Sequence, residues 1–182
     1  IFGTRPEFIK LAPVIKELKN NNNILTKACS TGQHDKLLND VINDFDVKID
    51  YKLNTIAKNK SLNILSSRLF KSLDEIFEKV KPDWVLIQGD TSTSTISALA
   101  AFYRGIKIAH IEAGLRTDDL QNPFPEEGNR QIISRISDIN FAPTKSSVFN
   151  LLKEGIKKNK ILLTGNTIVD SINYIKKLKL TP

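Results

Sequence analysis

Short apolar runs alternate along the chain with longer stretches whose apolar residues recur every three or four positions, which predicts strands and helices in turn. Val85, Leu86 and Ile87 form one run, closed by Gly89-Asp90, and Ile106 to Ile111 forms another, closed by Glu112-Ala113-Gly114. The segment between them, TSTSTISALAAFYR, reads as a helix, so the unit is strand, helix, parallel strand. Such crossovers are right-handed, and open parallel sheets bind ligands beyond the carboxyl ends of their strands. Asp90 and Glu112 stand at two of those ends.

The same alternation extends in both directions. Gly3-Thr4-Arg5-Pro6-Glu7 reads as a strand end turning into a helix, with glycine for the turn, Thr4 as cap and Pro6 in the first helical turn. Only Ile1 and Phe2 precede it and there is no initiating Met, so the natural protein is expected to begin a few residues earlier. The helix runs to Leu18, with a possible kink at Pro13, and stops at Asn20 to Asn23. Ile24 to Ser30 is a predicted strand, Thr31 to Asp35 the turn at its carboxyl end, and Leu37 to Phe45 a helix; Ile49 to Leu53 suits a further short strand. Ser61 is placed to cap an amphipathic helix that Lys81-Pro82 ends. A polar loop from Arg116 to Pro125 leads to a helix opening at Glu126. Strands over Asp138 to Pro143 and Lys160 to Thr164 flank a helix over Thr144 to Gly155, and Gly165-Asn166-Thr167 opens a last helix to Lys177. Six or seven strands alternating with helices predict a doubly wound parallel α/β sheet, Rossmann-like, forming a single domain over residues 1–182.

Composition narrows the partners. At 182 residues and 40% hydrophobic content, one substantial core is available. No apolar run approaches the roughly 18 residues of a membrane helix, and no signal-peptide pattern is present, which predicts a cytoplasmic protein without a membrane partner. Cys29 is the single cysteine and, on a strand-like run, reads as a small buried apolar residue. The net charge of +7 raises a nucleic-acid reading, but the lysine patches at Lys157, Lys158, Lys160 and at Lys176, Lys177, Lys179 lack interleaved aromatics that would stack on bases. Solvated helix faces account for them better.

Arg5, Gln33, Asp90, Glu112 and Glu126 share one address at the carboxyl edge of the predicted sheet. Arg5 at a glycine turn suits an anion. Three carboxylates on separate segments suit general acid–base work or a hard metal. For Glu126 and Glu127 a helix start rich in acid also simply complements the macrodipole. A two-metal phosphoesterase would carry histidines near the first turn and near Asn166, where Thr4-Arg5 and Thr167 stand instead, and no metal is expected. Neither Gly3-Thr4-Arg5 nor Gly89-Asp90-Thr91 matches G-x-G-x-x-G, so no nicotinamide cofactor is expected either. His34 reads as a hydrogen-bonded turn residue. His110, two residues before Glu112 in one strand, either orients that carboxylate or is a satisfied core histidine.

Seven motifs together resemble the non-hydrolysing UDP-N-acetylglucosamine 2-epimerases: Gly3 to Glu7, Thr31 to His34, Gly89 to Thr91, His110 to Thr117, Pro125 to Arg130, Phe141 to Thr144 and Thr164 to Thr167. The resemblance spans the chain. Its one local departure is Gly128, where the family usually has alanine. It implies the N-terminal domain of a two-domain glycosyltransferase-B-type fold, inactive alone, with residues 166–182 leading toward a second domain that carries most uridine-diphosphate contacts. The implied reaction interconverts UDP-N-acetylglucosamine and UDP-N-acetylmannosamine by proton abstraction at C2 with elimination and readdition of UDP, in a homodimeric full-length enzyme. By resemblance, Asp90, Glu112 and Glu126 are catalytic and Arg5, Lys10, His110 and Arg116 bind or orient the substrate. Gln33, Arg68 and Glu127 resemble positions that bind a second, activating substrate molecule. A hydrolysing epimerase, a diacetamido-uronic acid epimerase and a noncatalytic nucleotide-sugar-binding domain are the alternatives.

Overall fold

A computed structural model describes residues 1–32, 35–55 and 61–177. Its elements, in chain order, are α1 (Arg5–Asn20), β1 (Cys29–Ser30), α2 (Asp35–Asp44), β2 (Tyr51–Lys52), α3 (Leu62–Val80), β3 (Trp84–Gln88), α4 (Ser92–Tyr103), β4 (Lys107–Ile111), α5 (Glu126–Ile136), β5 (Ile139–Ala142), α6 (Lys145–Lys153), β6 (Ile161–Leu163) and α7 (Ile168–Lys177). All strand pairs are parallel, β1 with β2 and then β3, β4, β5 and β6 in order. Phe2 joins the two sheets: it bridges to Ser30, while the amino group of Ile1 donates to the Leu86 carbonyl at 2.9 Å. Counting Phe2 as a strand, the chain moves outward through β1 to β2, returns to the middle, and continues through β3 to β6. Strand order therefore reverses between Phe2 and β3, and crevices open at such reversals.

Two apolar layers cover the sheet. Phe2, Phe8, Leu11, Leu38, Ile42 and Phe45 pack with α1 and α2 in one cluster, and Leu69, Leu73, Phe77, Val85, Ile87 and Ile96 pack with α3 and α4 in the other. This is the doubly wound parallel α/β architecture that the alternation predicts. Cys29 is buried with the core residues, and burial pushes its thiol up. No described helix is long and apolar enough to cross a membrane.

Threonines set three helix starts. Thr4, Thr91 and Thr144 cap α1, α4 and α6 by accepting from the backbone N–H three residues on. Ser61 precedes α3 without a capping hydrogen bond from its side chain. The predicted strand from Ile24 shortens to Cys29–Ser30, and Leu25 is 86% exposed. The apolar run is present, but pairing partners reach only its last residues.

Candidate active site

The register of β3 and β4 builds the site. Gln88 stands opposite Ile111, and Gly89 N–H donates to the Ile111 carbonyl at 3.0 Å, so both strands run out at one level and deliver Asp90 and Glu112 side by side. Gly89 turns there at φ 74°, where a side chain would be strained. Glu112 itself has φ 67°, a sparsely populated conformation for a residue with a Cβ, of the kind that concentrates at functional sites.

Glu112 gathers donors from three segments. Lys10 Nζ, from α1, lies 2.8 Å from Oε1 and 2.6 Å from Oε2. Asn166 Nδ2, from the turn before α7, lies 2.7 Å from Oε1, and the Gln88 side-chain amide donates to Oε2. Asp90 is held differently: Arg130 Nε donates to its Oδ2 at 2.8 Å, and Asn129 Nδ2 to its backbone carbonyl at 2.8 Å. Burial pushes the Asp90 carboxyl above its usual range; Arg130 opposes that shift, while the nearby charges of Glu126 and Glu112 add to it. Glu126, the first residue of α5, thus joins the other two carboxylates in one electrostatic cluster. Arg5 is exposed at the start of α1, on the same edge.

Three expected site residues are engaged by other groups of the protein. Arg116 is not brought to the cluster: its side chain is only 2% exposed and binds both oxygens of Glu154, with a further bond to Ser134 Oγ at 3.1 Å. Glu127 is fully buried and accepts from Thr117 N–H, Arg130 and Gln131, so it cannot present itself to an activating ligand. Burial alone would raise the Glu127 carboxyl, and those three hydrogen bonds more than offset it, leaving it below the ordinary range. His110 does not orient Glu112. Its Nε2 lies 2.8 Å from the Gly89 carbonyl oxygen, because Glu112 has left the strand at positive φ and the two-residue alternation of faces no longer applies. Arg68 is exposed on α3, and Gln33, like His34, lies outside the described residues.

Sequence reasoning missed Gln88, Asn166, Arg130 and Glu7. Gln88 had a signal, a polar residue closing the apolar strand WVLIQ, and it is 2% exposed. Glu7 is a buried clasp across the strand-order reversal. Its Oε2 accepts from Gly3 N–H at 2.8 Å and Thr4 N–H at 2.7 Å, and its Oε1 from the hydroxyls of Thr91 and Ser94. The loops that bear Arg5 and Asp90 are thereby tied to one carboxylate. Among the described residues no group of three or more histidine, cysteine or acidic side chains is arranged to hold a metal ion.

Comparison with known proteins gives the family and the fold. The family profile described as UDP-N-acetylglucosamine 2-epimerase matches residues 16–181. The chain is 48% identical over 182 residues to a UDP-N-acetylglucosamine 2-epimerase of Neisseria meningitidis serogroup A, covering 100% of this chain and 49% of the relative. It is 47% identical over 175 residues to that of Campylobacter jejuni, covering 96% and 46%. Among solved structures, the N. meningitidis UDP-GlcNAc 2-epimerase bound to UDP-GlcNAc superposes with a TM-score of 0.95 at 48% identity, over 99% of this chain and 49% of that one. The Methanocaldococcus jannaschii enzyme in complex with UDP-GlcNAc and UDP superposes at 0.90 and 37% identity, again over 99% and 49%. The chain spans about half the length of the relatives it matches.

Proposed function

The chain belongs to the UDP-N-acetylglucosamine 2-epimerase family, and from that membership we propose that it forms the N-terminal half of an enzyme interconverting UDP-N-acetylglucosamine and UDP-N-acetylmannosamine. What supports this reading is the delivery of Asp90 and Glu112 to one strand edge at the strand-order reversal, with Lys10 on Glu112 and, on Asp90, Arg130 from the helix that Glu126 opens. The hydrogen at C2 of the sugar is not acidic. Loosening the bond from C1 to UDP makes C1 cationic and acidifies it, so a carboxylate takes the proton as UDP departs with the bonding pair and a C1–C2 double bond forms. UDP then adds back to C1 while C2 receives a proton on its opposite face. Two acid–base groups and a preorganised negative charge meet that need.

In this reading the second half supplies most contacts to UDP, and this chain alone does not turn over. The whole enzyme works without a cofactor, as a cytoplasmic homodimer. The test is turnover by the intact enzyme in heavy water. Deuterium should enter C2 of both epimers with little free sugar released. Free N-acetylmannosamine as the main product would favour a hydrolysing enzyme, and epimers formed without solvent deuterium would sink the proton-transfer mechanism.

A further inference from the structure

The three carboxylates differ in how much of their hydrogen-bonding capacity is already used. An ionised carboxylate offers about four acceptor sites. Glu112 fills them with Lys10 on both oxygens, Asn166 on Oε1 and Gln88 on Oε2. A proton placed on either oxygen would point at a donor hydrogen and displace it. Asp90 is engaged at Oδ2 by Arg130, and among the described residues nothing donates to its Oδ1. Among the same residues the Glu126 carboxylate has neither a hydrogen bond nor an ion pair. Glu112 is also the carboxylate whose backbone lies at φ 67°, and so strained a conformation persists only where its surroundings over-determine it.

Building on the epimerase reading, we infer that Glu112 is the fixed negative charge of the site, that Gln88 and Asn166 are positioning residues which hold it so, and that Asp90 and Glu126 are the proton carriers. Glu112 then steadies the positive charge that grows at C1 as the C1–O bond to UDP breaks. The C2 proton passes to one of the two less encumbered carboxylates, its bonding pair becomes the second C1–C2 bond, and the proton for readdition comes from the other. Fixed dipoles and charges of this kind need no reorganisation during the reaction. The charged and titratable groups facing Glu112 are Lys10 from α1, Asp90 after β3 and His110 from β4.

The experiment compares pH profiles of kcat for the intact enzyme and its Asn166→Ser and Gln88→Leu variants. Asn166→Ser loses the donor to Glu112 but retains an acceptor for the Ile168 N–H that Asn166 Oδ1 now serves at 3.0 Å. A carboxylate that loses a donor is protonated at higher pH. If Glu112 must stay anionic, the acidic limb of kcat moves up by at least about half a pH unit while the basic limb stays in place. KM should change by less than about threefold. A purely structural lesion would lower kcat at all pH values and move neither limb, which overturns the inference. Movement of the basic limb instead would make Glu112 a proton donor, and an acidic limb that moves together with a fall in solvent deuterium uptake at C2 of the unconverted epimer, relative to turnover, would make it the base that takes the C2 proton; either result overturns the inference. Should Gln88→Leu fail to fold, Asn166→Ser decides alone. Wild-type enzyme that places no deuterium at C2 defeats the epimerase reading itself, whereas an active wild type with unmoved limbs in the variants defeats only this assignment.

Discussion

Lys10 and Glu112, 102 residues apart in sequence, form an ion pair across the carboxyl edge of the sheet, with Nζ 2.8 and 2.6 Å from the two carboxylate oxygens. The pair ties α1 to the end of β4. In the intact enzyme, Glu112→Gln should abolish turnover while leaving nucleotide affinity within about tenfold, or roughly 1.4 kcal/mol, because in the proposed reaction the residue acts on the sugar. Isothermal titration with UDP checks it. A thousandfold loss of UDP affinity would assign Glu112 a structural or ligating role instead.

Glu7 should prove among the most costly carboxylates to remove. It is 2% exposed and accepts from two backbone N–H groups and from the hydroxyls of Thr4, Thr91 and Ser94. Glu7→Ala strands donors at the starts of both α1 and α4, each costing about 1–3 kcal/mol when left buried and unpaired. A loss of about 3 kcal/mol or more is expected in urea unfolding, with an unchanged m-value. A loss of only a few tenths would show that water replaces the carboxylate and that the clasp is dispensable.

Two glycines separate conformational strain from steric clash. Gly105 has φ 67° and open space where a Cβ would stand, whereas Gly114 has φ 88° and a Cβ there would lie 2.4 Å from the Ser147 carbonyl oxygen. Gly105→Ala should cost about 1 kcal/mol, for the left-handed backbone alone. Gly114→Ala should cost at least about 2 kcal/mol more, since the obstacle is backbone of α6 and cannot rotate away. Equal thermal midpoints for the two variants would contradict that order.

The contrast between what sequence reading finds and misses follows range of interaction. Thr4 caps its helix, as expected, through a contact three residues long, and the strands β3 to β6 announce themselves by local apolar runs. Asp90, Glu112 and Glu126 are legible as strand-end and helix-start carboxylates, because topology alone sends them to one edge. The partners that define the site lie far off in sequence: Gln88 is 24 residues from Glu112, Asn166 is 54, and Thr91 is 84 from Glu7. Arg116 shows the converse. The family resemblance implies a substrate contact for it, but Glu154, 38 residues on, claims the guanidinium. The run Ile24 to Ser30 has the composition of a strand throughout, but the neighbouring segment reaches only Ala28 to Ser30.

His110 sets a pH dependence of stability. The ring is 1% exposed, its Nε2 lies 2.8 Å from the Gly89 carbonyl oxygen, and burial pushes its pKa down to about 4. The neutral imidazole donates to that carbonyl and so braces the turn that carries Asp90. An unfolded histidine takes up its proton near pH 6.5. Between that value and about 4 the unfolded chain binds a proton that the folded chain refuses, so stability falls as the pH drops through this window, by up to about 3 kcal/mol. Above the window the effect is absent. His110→Gln keeps a donor but cannot titrate, so it should be the less stable protein at neutral pH, where it loses only packing, and close the gap as the pH falls. Urea unfolding of both proteins at about pH 7.5 and about pH 4.5 measures the difference. Curves that stay parallel would mean that the folded protein accommodates the imidazolium, and that the brace on Gly89 survives protonation.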